Sequence, residues 1–259
     1  MGFLFRPKEL PRPASLTFTL DQAGHTYDDG HVGLAPTDIT ISELRVAVIG
    51  LNGAGKSTLL GLLDGSLKAN AGTVTIAGGE ERLDPAVKKD AKRIDNLVGK
   101  VRREEIPNSF YQAANISEAV SEALKKHKVP ESERHARIGN LFAHFDLAQV
   151  SKAKASELDS EKRHLLAIAA ALSFEPSAIV ADEPSKGLDE IGAAHVAKAL
   201  FSYNKQVIFA THDTDMIRRP EYAIDRVLVL DAVAFDGAPA EAVAFYEDLI
   251  RRKYEAAKR

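Results

Sequence analysis

The chain has 259 residues and a formal net charge of −3; 45% of its residues are hydrophobic and 27% are charged. This balance is typical of a globular protein and excludes a disordered chain or a strongly basic nucleic-acid-binding one, so we expect no nucleic-acid partner. The lack of cysteine excludes disulfides, thiolate catalysis and cysteine-ligated metal centres. No apolar run approaches the roughly 20 residues of a membrane span, and the first residues lack a signal-peptide core, so we expect a cytoplasmic chain.

Hydrophobic patterning along the chain predicts an α/β fold. The alternating segment 16–20 predicts an N-terminal antiparallel strand, and short apolar runs predict buried strands of a parallel sheet at 45–49, 178–181, 206–210 and 227–230. Helical periodicity occurs between them, at 57–67, 116–127, 131–145, 160–172, 189–201 and 239–256. The block 99–172 holds three helical patterns and no strand pattern. We therefore expect a helical subdomain at 99–172, inserted into an α/β core formed by 1–98 and 173–259.

Residues 50–57 read GLNGAGKS and match the phosphate-loop pattern G-x-x-x-x-G-K-[ST]. The match follows a predicted strand and precedes a predicted helix. The chemistry requires this context, because backbone N–H groups turn around a phosphate at the positive end of the helix. In such a loop Lys56 contacts the β- and γ-phosphates, and the hydroxyl of Ser57 binds Mg²⁺. The predicted nucleotide contacts are Asn52, Gly53, Ala54, Gly55, Lys56, Ser57 and Thr58.

Two carboxylates follow the predicted strand 178–181. At the exit of a strand the chain can turn, so that neighbouring side chains reach different groups. In a P-loop nucleotidase such a pair holds magnesium and orients water. We therefore predict that Asp182 reaches the ion, together with Ser57, and that Glu183 reaches the attacking water.

Three segments now carry a family resemblance: GLNGAGKST at 50–58, ADEPSKGLD at 181–189 and ATHD at 210–213. In sequence, order and separation they resemble the nucleotide-binding subunit of ABC transporters. The resemblance implies a P-loop NTPase fold of the ABC ATPase type that binds ATP and Mg²⁺. It also implies a dimer, in which each nucleotide lies between the P-loop of one chain and the signature helix of the other.

The same resemblance assigns roles to individual residues. It implies that Glu183 is the general base, that His212 contacts the γ-phosphate, and that Asp189 communicates across the dimer. Tyr27, in HTYDDG, matches the aromatic residue that stacks on adenine in this family. The alternative for Tyr27 is an ordinary tyrosine at a strand end.

The signature segment departs from the family pattern. Where the family commonly has L-S-G-G-Q, residues 158–162 read LDSEK. A carboxylate about 4 Å from a phosphate charge costs about 4 kcal/mol at an effective dielectric near 20, if nothing compensates it. Two alternatives stay open: Asp159 faces the nucleotide, or it caps the helix and leaves the hydroxyl role to Ser160. Three residues are near enough in sequence to compensate the charge: Lys162, Arg163 and His164.

A second departure lies in 98–120, where the family places a glutamine that contacts magnesium and the membrane partner. Alignment puts Arg103 at that position, and Gln112 falls later, so neither residue is assigned the role. Five residues of this segment form either a docking surface for a membrane partner or an ordinary packed loop: Arg102, Arg103, Ile106, Phe110 and Tyr111.

These features predict the ATP-hydrolysing motor subunit of a membrane importer, bound to the inner face of the membrane. Its expected partners are an integral membrane subunit and a second ATPase subunit, either another copy or a paralogue. The segments ELDSEKRHLLAIAAAL, THDTD and FDGAPAEAVAFYEDL are similar to the energy-coupling-factor class, which imports vitamins such as biotin. The alternatives are a soluble ABC ATPase not tied to transport, and a regulatory module that binds ATP without hydrolysing it.

Overall fold

The computed structural model describes residues 15–102, 106–202, 204–231 and 234–258. In chain order the strands are β1 (Thr17–Thr26), β2 (Val32–Ile41), β3 (Arg45–Gly50), β4 (Ala71–Gly78), β5 (Glu81–Leu83), β6 (Val98–Val101), β7 (Ala178–Asp182), β8 (Gln206–Ala210), β9 (Arg226–Leu230) and β10 (Phe235–Gly237). The helices are α1 (Lys56–Leu63), α2 (Lys88–Leu97), α3 (Asn108–Gln112), α4 (Ile116–Lys126), α5 (Glu131–His144), α6 (Ser160–Leu172), α7 (Glu190–Ser202), α8 (Thr214–Arg218) and α9 (Pro239–Ala257). The predicted α/β class is confirmed.

A six-stranded sheet in the order β10-β9-β3-β8-β7-β6 forms the centre of the fold. Strands β9, β3, β8, β7 and β6 run parallel, and β10 pairs antiparallel with β9 at one edge. Strands β3, β7, β8 and β9 confirm the four predicted buried strands. The prediction of no strand in 99–172 was wrong, because β6 occupies 98–101; its four residues are too few for a recognisable pattern. The division into a core and a helical subdomain stays a prediction.

A four-stranded antiparallel sheet, in the order β2-β1-β4-β5, contains the N-terminal strand. It confirms the antiparallel strand predicted at 16–20, which continues to Thr26 through a shift in register between Leu20 and Ala23. The sequence did not predict β2 or β4. Pro36 interrupts the pattern of β2, which lies at the edge of the sheet, where proline is tolerated.

Two hydrophobic clusters cover the two faces of the central sheet. In β3, Val46 and Val48 pack into the cluster that contains α1 and the antiparallel sheet, whereas Ala47 and Ile49 pack against helices α4 to α7 and α9. Because both faces are buried, polar groups of the central strands reach solvent at the strand ends. The carboxyl ends of parallel strands are where ligands bind in such folds.

Helices α4, α5, α6, α7 and α9 confirm predicted ones. Helix α1 ends at Leu63, earlier than the predicted 67, because Gly65 has a φ of +72° and turns the chain away. The sequence did not predict α2, α3 or α8, of which α3 and α8 are only five residues long.

Candidate active site at the carboxyl edge of the central sheet

The glycine-rich loop links β3 to the N-terminus of α1. Gly55 has a φ of +93°, and a β-carbon there would lie 2.4 Å from the carbonyl oxygen of Gly33, so only glycine fits. Lys56 is buried, and its Nζ donates to the carbonyl oxygens of Gly50 at 2.8 Å and Leu51 at 3.2 Å. The lysine therefore lies along the inside of the loop, at the positive end of a helix, as a phosphate site requires.

The other predicted contacts of this loop differ in their exposure. Asn52 and Gly53 form its exposed tip, and Ala54 is half-buried behind them. Ser57 is exposed, whereas Thr58, one residue later on α1, is buried. The loop thus presents its tip and residue Ser57 to solvent.

Ser57 and Asp182 meet across the edge of the sheet. The Ser57 hydroxyl donates to Asp182 Oδ2 at 2.6 Å. The other oxygen of Asp182, Oδ1, is buried and has no hydrogen-bond partner among the described residues. A buried oxygen without a partner indicates a missing ligand or ion. Hydroxyl and carboxylate oxygens suit Mg²⁺, which binds few protein ligands and keeps water and phosphate oxygens around it.

Within the described ranges, no group of three or more His, Asp or Glu residues has the arrangement of a metal site. An all-protein cage for a metal therefore does not occur in that part of the chain. A site with two protein oxygens, such as Ser57 and Asp182, is compatible with this result because Mg²⁺ at phosphates needs no more.

Glu183 leaves β7 in an unusual backbone conformation. Its φ is +50°, in the left-handed region that residues other than glycine rarely adopt, and its N–H donates to the carbonyl of Ala210 at 3.0 Å. Strained backbone of this kind concentrates at functional sites. Asp182 contacts Ser57 and Glu183 lies beside His212, so the two neighbouring carboxylates reach different groups, and their roles toward an ion and a water stay predictions.

His212 lies beside Glu183. Its Nε2 is 3.0 Å from Glu183 Oε1, so the two form an ion pair when the imidazole is protonated, although the contact lacks the angles of a hydrogen bond. Glu183 is buried, whereas the side chain of His212 is 41% exposed. His212 can therefore contact a ligand that enters from solvent, while Glu183 lies at the base of the site.

Tyr246 is a residue near this site that sequence reasoning missed. It is buried on α9, and burial together with the neighbouring Glu183 carboxylate raises the pKa of its hydroxyl. The C-terminal helix thus forms part of the surroundings of Glu183. No local pattern indicates this, because the two residues lie far apart along the chain.

Tyr27 lies next to the phosphate loop. Its hydroxyl is 3.0 Å from Oγ1 of Thr58, and the residue is 37% exposed. A β-carbon at Gly33 would lie 2.5 Å from Cε2 of Tyr27 and 2.7 Å from Oγ1 of Thr58, so glycine at 33 permits this approach. A partly exposed aromatic ring beside the loop is in a suitable place to stack on a base.

Asp159 caps the N-terminus of α6. Its Oδ1 accepts a hydrogen bond from the N–H of Lys162 at 2.7 Å, and Oδ2 lies 3.1 Å from Nζ of the same residue. The backbone hydrogen bond is the main cause that lowers the pKa of Asp159. This geometry agrees with the alternative in which Asp159 caps the helix. Ser160 is the first residue of α6 and is exposed. A role of either residue at nucleotide stays a prediction.

The second carboxylate of the signature segment contacts α7. Glu161 Oε1 lies 2.5 Å from Nδ1 of His195. Asp189 lies just before the same helix, and its Oδ1 accepts a hydrogen bond from the N–H of Gly192 at 2.8 Å. The starts of α6 and α7 are therefore held together, and Asp189 is exposed beside them.

Of the segment after β6, Arg103 lies outside the described residues, and Gln112 is exposed at the end of α3. Gln112 lines a cleft of about 1010 Å³ between α2, β6, α3, α4 and α6. Ile106 and Phe110 line the same cleft and are buried, whereas Tyr111 is 46% exposed. The segment thus combines packed apolar residues with an open cleft. It therefore has features of both a docking surface for a membrane partner and an ordinary packed loop.

Known proteins resemble this chain over most of its length. The family described as ABC transporter matches residues 37–186. The energy-coupling factor transporter ATP-binding protein EcfA of Methanocaldococcus jannaschii is 30% identical, over 86% of this chain and 79% of that protein. The biotin transport ATP-binding protein BioM of Rhizobium etli is 27% identical, over 90% of this chain and 99% of that protein.

One solved structure has the same fold over nearly its whole length. It is cbiO1 from Clostridium perfringens, described as part of the ABC transporter complex cbiONQ, with a TM-score of 0.75 and 27% identity. The likeness covers 92% of this chain and 94% of that one. In the parts of this chain that the structure describes, no helix combines the length and the apolar character that crossing a membrane requires.

Proposed function

Since this chain belongs to the ABC transporter family and is an ABC-type ATPase with the corresponding P-loop fold, we propose that it is the ATP-hydrolysing motor subunit of a membrane importer. The observation that carries this proposal is the meeting of two polar pairs at one edge of the central sheet. Ser57 contacts Asp182, and Glu183 contacts His212. Ser57 lies on α1 and Asp182 ends β7, whereas Glu183 and His212 follow the neighbouring strands β7 and β8, so both pairs lie next to the phosphate loop.

ATP binds with its phosphates in the loop of residues 50–58 and its adenine on Tyr27. Lys56 exchanges its carbonyl partners within the loop for phosphate oxygens. Ser57 and Asp182 would hold Mg²⁺, which would supply positive charge to the bound phosphates. The buried Oδ1 of Asp182, without a partner among the described residues, supports this assignment.

Glu183 acts as general base and accepts a proton from the attacking water. Its left-handed backbone and the bond from its N–H to Ala210 hold it at the base of the site. His212 orients the Glu183 carboxylate before ATP binds and contacts the γ-phosphate once ATP is bound. The 3.0 Å separation of the two side chains supports this arrangement.

The partner ATPase is a second copy of the chain or a paralogue. Ser160 at the start of α6 supplies a hydroxyl to the nucleotide of the other subunit, and Asp189 contacts that subunit. Both residues are exposed, which such contacts require. Asp159 keeps its carboxylate on the first turn of α6, so it opposes the approach of a phosphate less than a free carboxylate would.

The membrane partner docks at the cleft between α2, α3, α4 and α6, and the complex is an importer of the energy-coupling-factor type at the inner face of the membrane. The names of EcfA and BioM support this class, and that of BioM supports a vitamin such as biotin as cargo. The size of the cleft, about 1010 Å³, supports a docking segment of a larger protein. Extraction in mild detergent tests the partner, because a polytopic membrane protein should co-purify with the tagged chain.

The test of the motor role is Glu183→Gln, which keeps the shape of the side chain but removes the base. We expect ATP turnover to fall by a factor of about 10² to 10⁴, while a dimer accumulates with ATP bound. The matched control is Glu190→Gln, the same change at an exposed position of α7. Turnover that survives in Glu183→Gln at the control level would show that the chain does not use Glu183 as its base.

A further inference from the structure

A set of contacts at the end of β1, next to Tyr27, has no role in the site described above. Strand β1 continues to Thr26, whereas its neighbour β4 begins at Ala71, opposite Gly24. The segment of residues 68–70, which leads from α1 into β4, contacts these last residues of β1. Because Tyr27 directly follows β1, contacts with this segment bear on the position of its ring.

Asn70 takes the place of a strand partner at the end of β1. Its backbone N–H donates to the carbonyl oxygen of Gly24 at 3.1 Å. Its Oδ1 accepts a hydrogen bond from the N–H of Thr26 at 2.9 Å, and its Nδ2 donates to the carbonyl oxygen of Thr26 at 2.6 Å. An asparagine side chain combines a donor and an acceptor in one amide group, as a peptide does. Asn70 therefore extends the pairing of β1 up to the residue before Tyr27.

His25 connects the same segment to the ring of Tyr27. Its Nδ1 lies 2.8 Å from the carbonyl oxygen of Lys68, and because a carbonyl only accepts, Nδ1 carries the proton. The imidazole and the ring of Tyr27 form a T-shaped pair, with centroids 4.7 Å apart and planes at 81°. This is a favourable aromatic geometry, so the bond to Lys68 also restrains the tilt of the Tyr27 ring.

Tyr27 is also held on its other sides. Its hydroxyl is 3.0 Å from Oγ1 of Thr58 on α1, and its N–H donates to the carbonyl oxygen of His31 at 2.8 Å. The ring is thus tied to α1 through its hydroxyl, and to the segment after α1 through His25 and Asn70. Since α1 begins at the phosphate loop, the ring and the loop share one support.

We propose that Asn70 and His25 are positioning residues of the base subsite, which fix the ring of Tyr27 in the orientation that stacks on a nucleobase. The proposal rests on the proposed function, in which adenine lies on Tyr27. Stacking depends on the mutual orientation of the two rings, and a side chain that is already ordered loses less freedom on binding. The affinity gained from the base therefore depends on Asn70 and His25, whereas the affinity gained from the phosphates does not.

A purely structural role of these contacts would have a different consequence. If Asn70 only stabilised the sheet, its loss would lower the free energy of unfolding and leave nucleotide binding by the folded chain unchanged. ADP and inorganic pyrophosphate separate the two roles, because both carry two phosphates and only ADP carries a base. Neither supplies a γ-phosphate, so binding is measured without turnover of ATP.

The experiment measures the dissociation constants of ADP and pyrophosphate by calorimetric titration of each variant. We expect Asn70→Ala to weaken ADP binding about three- to tenfold, because the loss cannot exceed that of the stacking itself, about tenfold. Pyrophosphate binding should not change. Asn140→Ala is the matched control, since it makes the same replacement at an exposed position of α5, and it should affect neither ligand.

Variants of His25 test the second positioning residue. His25→Ala should weaken ADP binding and spare pyrophosphate, as Asn70→Ala does. His25→Phe keeps an aromatic ring beside Tyr27 but loses the bond to Lys68, so it should retain more ADP affinity than His25→Ala. If Asn70→Ala does not fold, these two variants still test the proposal.

A double variant tests whether Asn70 acts through Tyr27. Residues that act through one shared contact have non-additive effects. Once Tyr27 is replaced by alanine, we therefore expect Asn70→Ala to cause no further loss of ADP affinity. A further loss as large as in the chain with Tyr27 would overturn the proposal. Equal weakening of ADP and pyrophosphate by Asn70→Ala, or an unchanged affinity for ADP, would overturn it too.

The outcomes distinguish this proposal from the proposed function. If Tyr27→Ala weakens ADP binding and Asn70→Ala does not, the base subsite stands and the positioning role fails. If Tyr27→Ala leaves ADP binding unchanged, the base does not stack on Tyr27, and both fail. Failure of the motor role would appear separately, as unchanged turnover in Glu183→Gln, and would leave these binding measurements intact.

Discussion

Replacing Asp159 with asparagine removes a charge from the signature segment but keeps a good helix cap. Both carboxylate oxygens are engaged with Lys162, one at the backbone N–H and one at the ammonium group. Because the first turn of α6 already compensates this charge, we expect Asp159→Asn to change the ATP-dependent dimer dissociation constant by less than tenfold.

The magnitudes separate the two orientations of Asp159. Like charges about 4 Å apart repel by about 4 kcal/mol at an effective dielectric near 20. If the carboxylate faced the phosphate of the other subunit, its removal would tighten the dimer on the order of 10³-fold, since about 1.4 kcal/mol corresponds to a factor of ten. An exposed carboxylate at a helix N-terminus contributes only about 0.3–1 kcal/mol, screened by salt.

The assay is sedimentation velocity with ATP in the Glu183→Gln background, which prevents turnover. Asp215→Asn, at a side chain that is 83% exposed on α8, is the matched control. A tightening near 10³-fold in Asp159→Asn but not in the control would refute the capping interpretation.

Three further outcomes follow from the contacts. Arg102→Gln leaves the buried Asp64 without its cation. Such a loss lowers the free energy of unfolding by about 3–5 kcal/mol when both groups are buried. We expect about 2 kcal/mol here, because the side chain of Arg102 is 34% exposed. Calorimetry should show a Tm lower by about 4–8 °C, and adding Asp64→Asn should largely restore it. An unchanged Tm in Arg102→Gln alone would show that the ion pair between Arg102 and Asp64 does not stabilise the fold. Tyr27→Ala should weaken ATP binding about tenfold in equilibrium dialysis, from lost stacking, whereas Tyr27→Phe retains most of it; equal losses would argue against stacking. The lowered pKa of Asp159 means that its contribution to stability is present above its unfolded pKa and is lost as the pH falls through the folded value. The Tm difference from Asp159→Asn should therefore be constant above the ordinary carboxyl pKa of 3.8 and shrink as the pH falls below it, and a difference that does not change with pH would contradict this.

The candidate site at the carboxyl edge of the central sheet was largely predictable because its signals are local. A phosphate loop needs glycines, a lysine and a hydroxyl in consecutive positions, and residues 50–58 contain them. Asp182, Glu183 and His212 each follow a short apolar run, so their places at the ends of parallel strands could be read from the sequence. The structure brings these residues to one edge of the central sheet.

Other features depend on contacts between distant segments. Tyr246 approaches Glu183 only because α9 packs against the central sheet, and Arg102 reaches Asp64 only because β6 runs past the end of α1. Strand β6 itself is too short to carry a pattern, and β2 includes a proline, which strand patterns disfavour.

The sequence by itself determined the fold class, the phosphate loop and the order of the motifs, since backbone conformation and short-range chemistry require particular residues at fixed spacing. It left the orientation of Asp159 open, because a carboxylate at a helix start can serve the helix or a ligand. The structure decided that its oxygens contact Lys162 within the first turn of α6, and only tertiary packing brings Arg163 and His164 to a cleft with Lys186. Such a cleft arises where three chain segments meet, and no spacing along a single segment encodes that meeting.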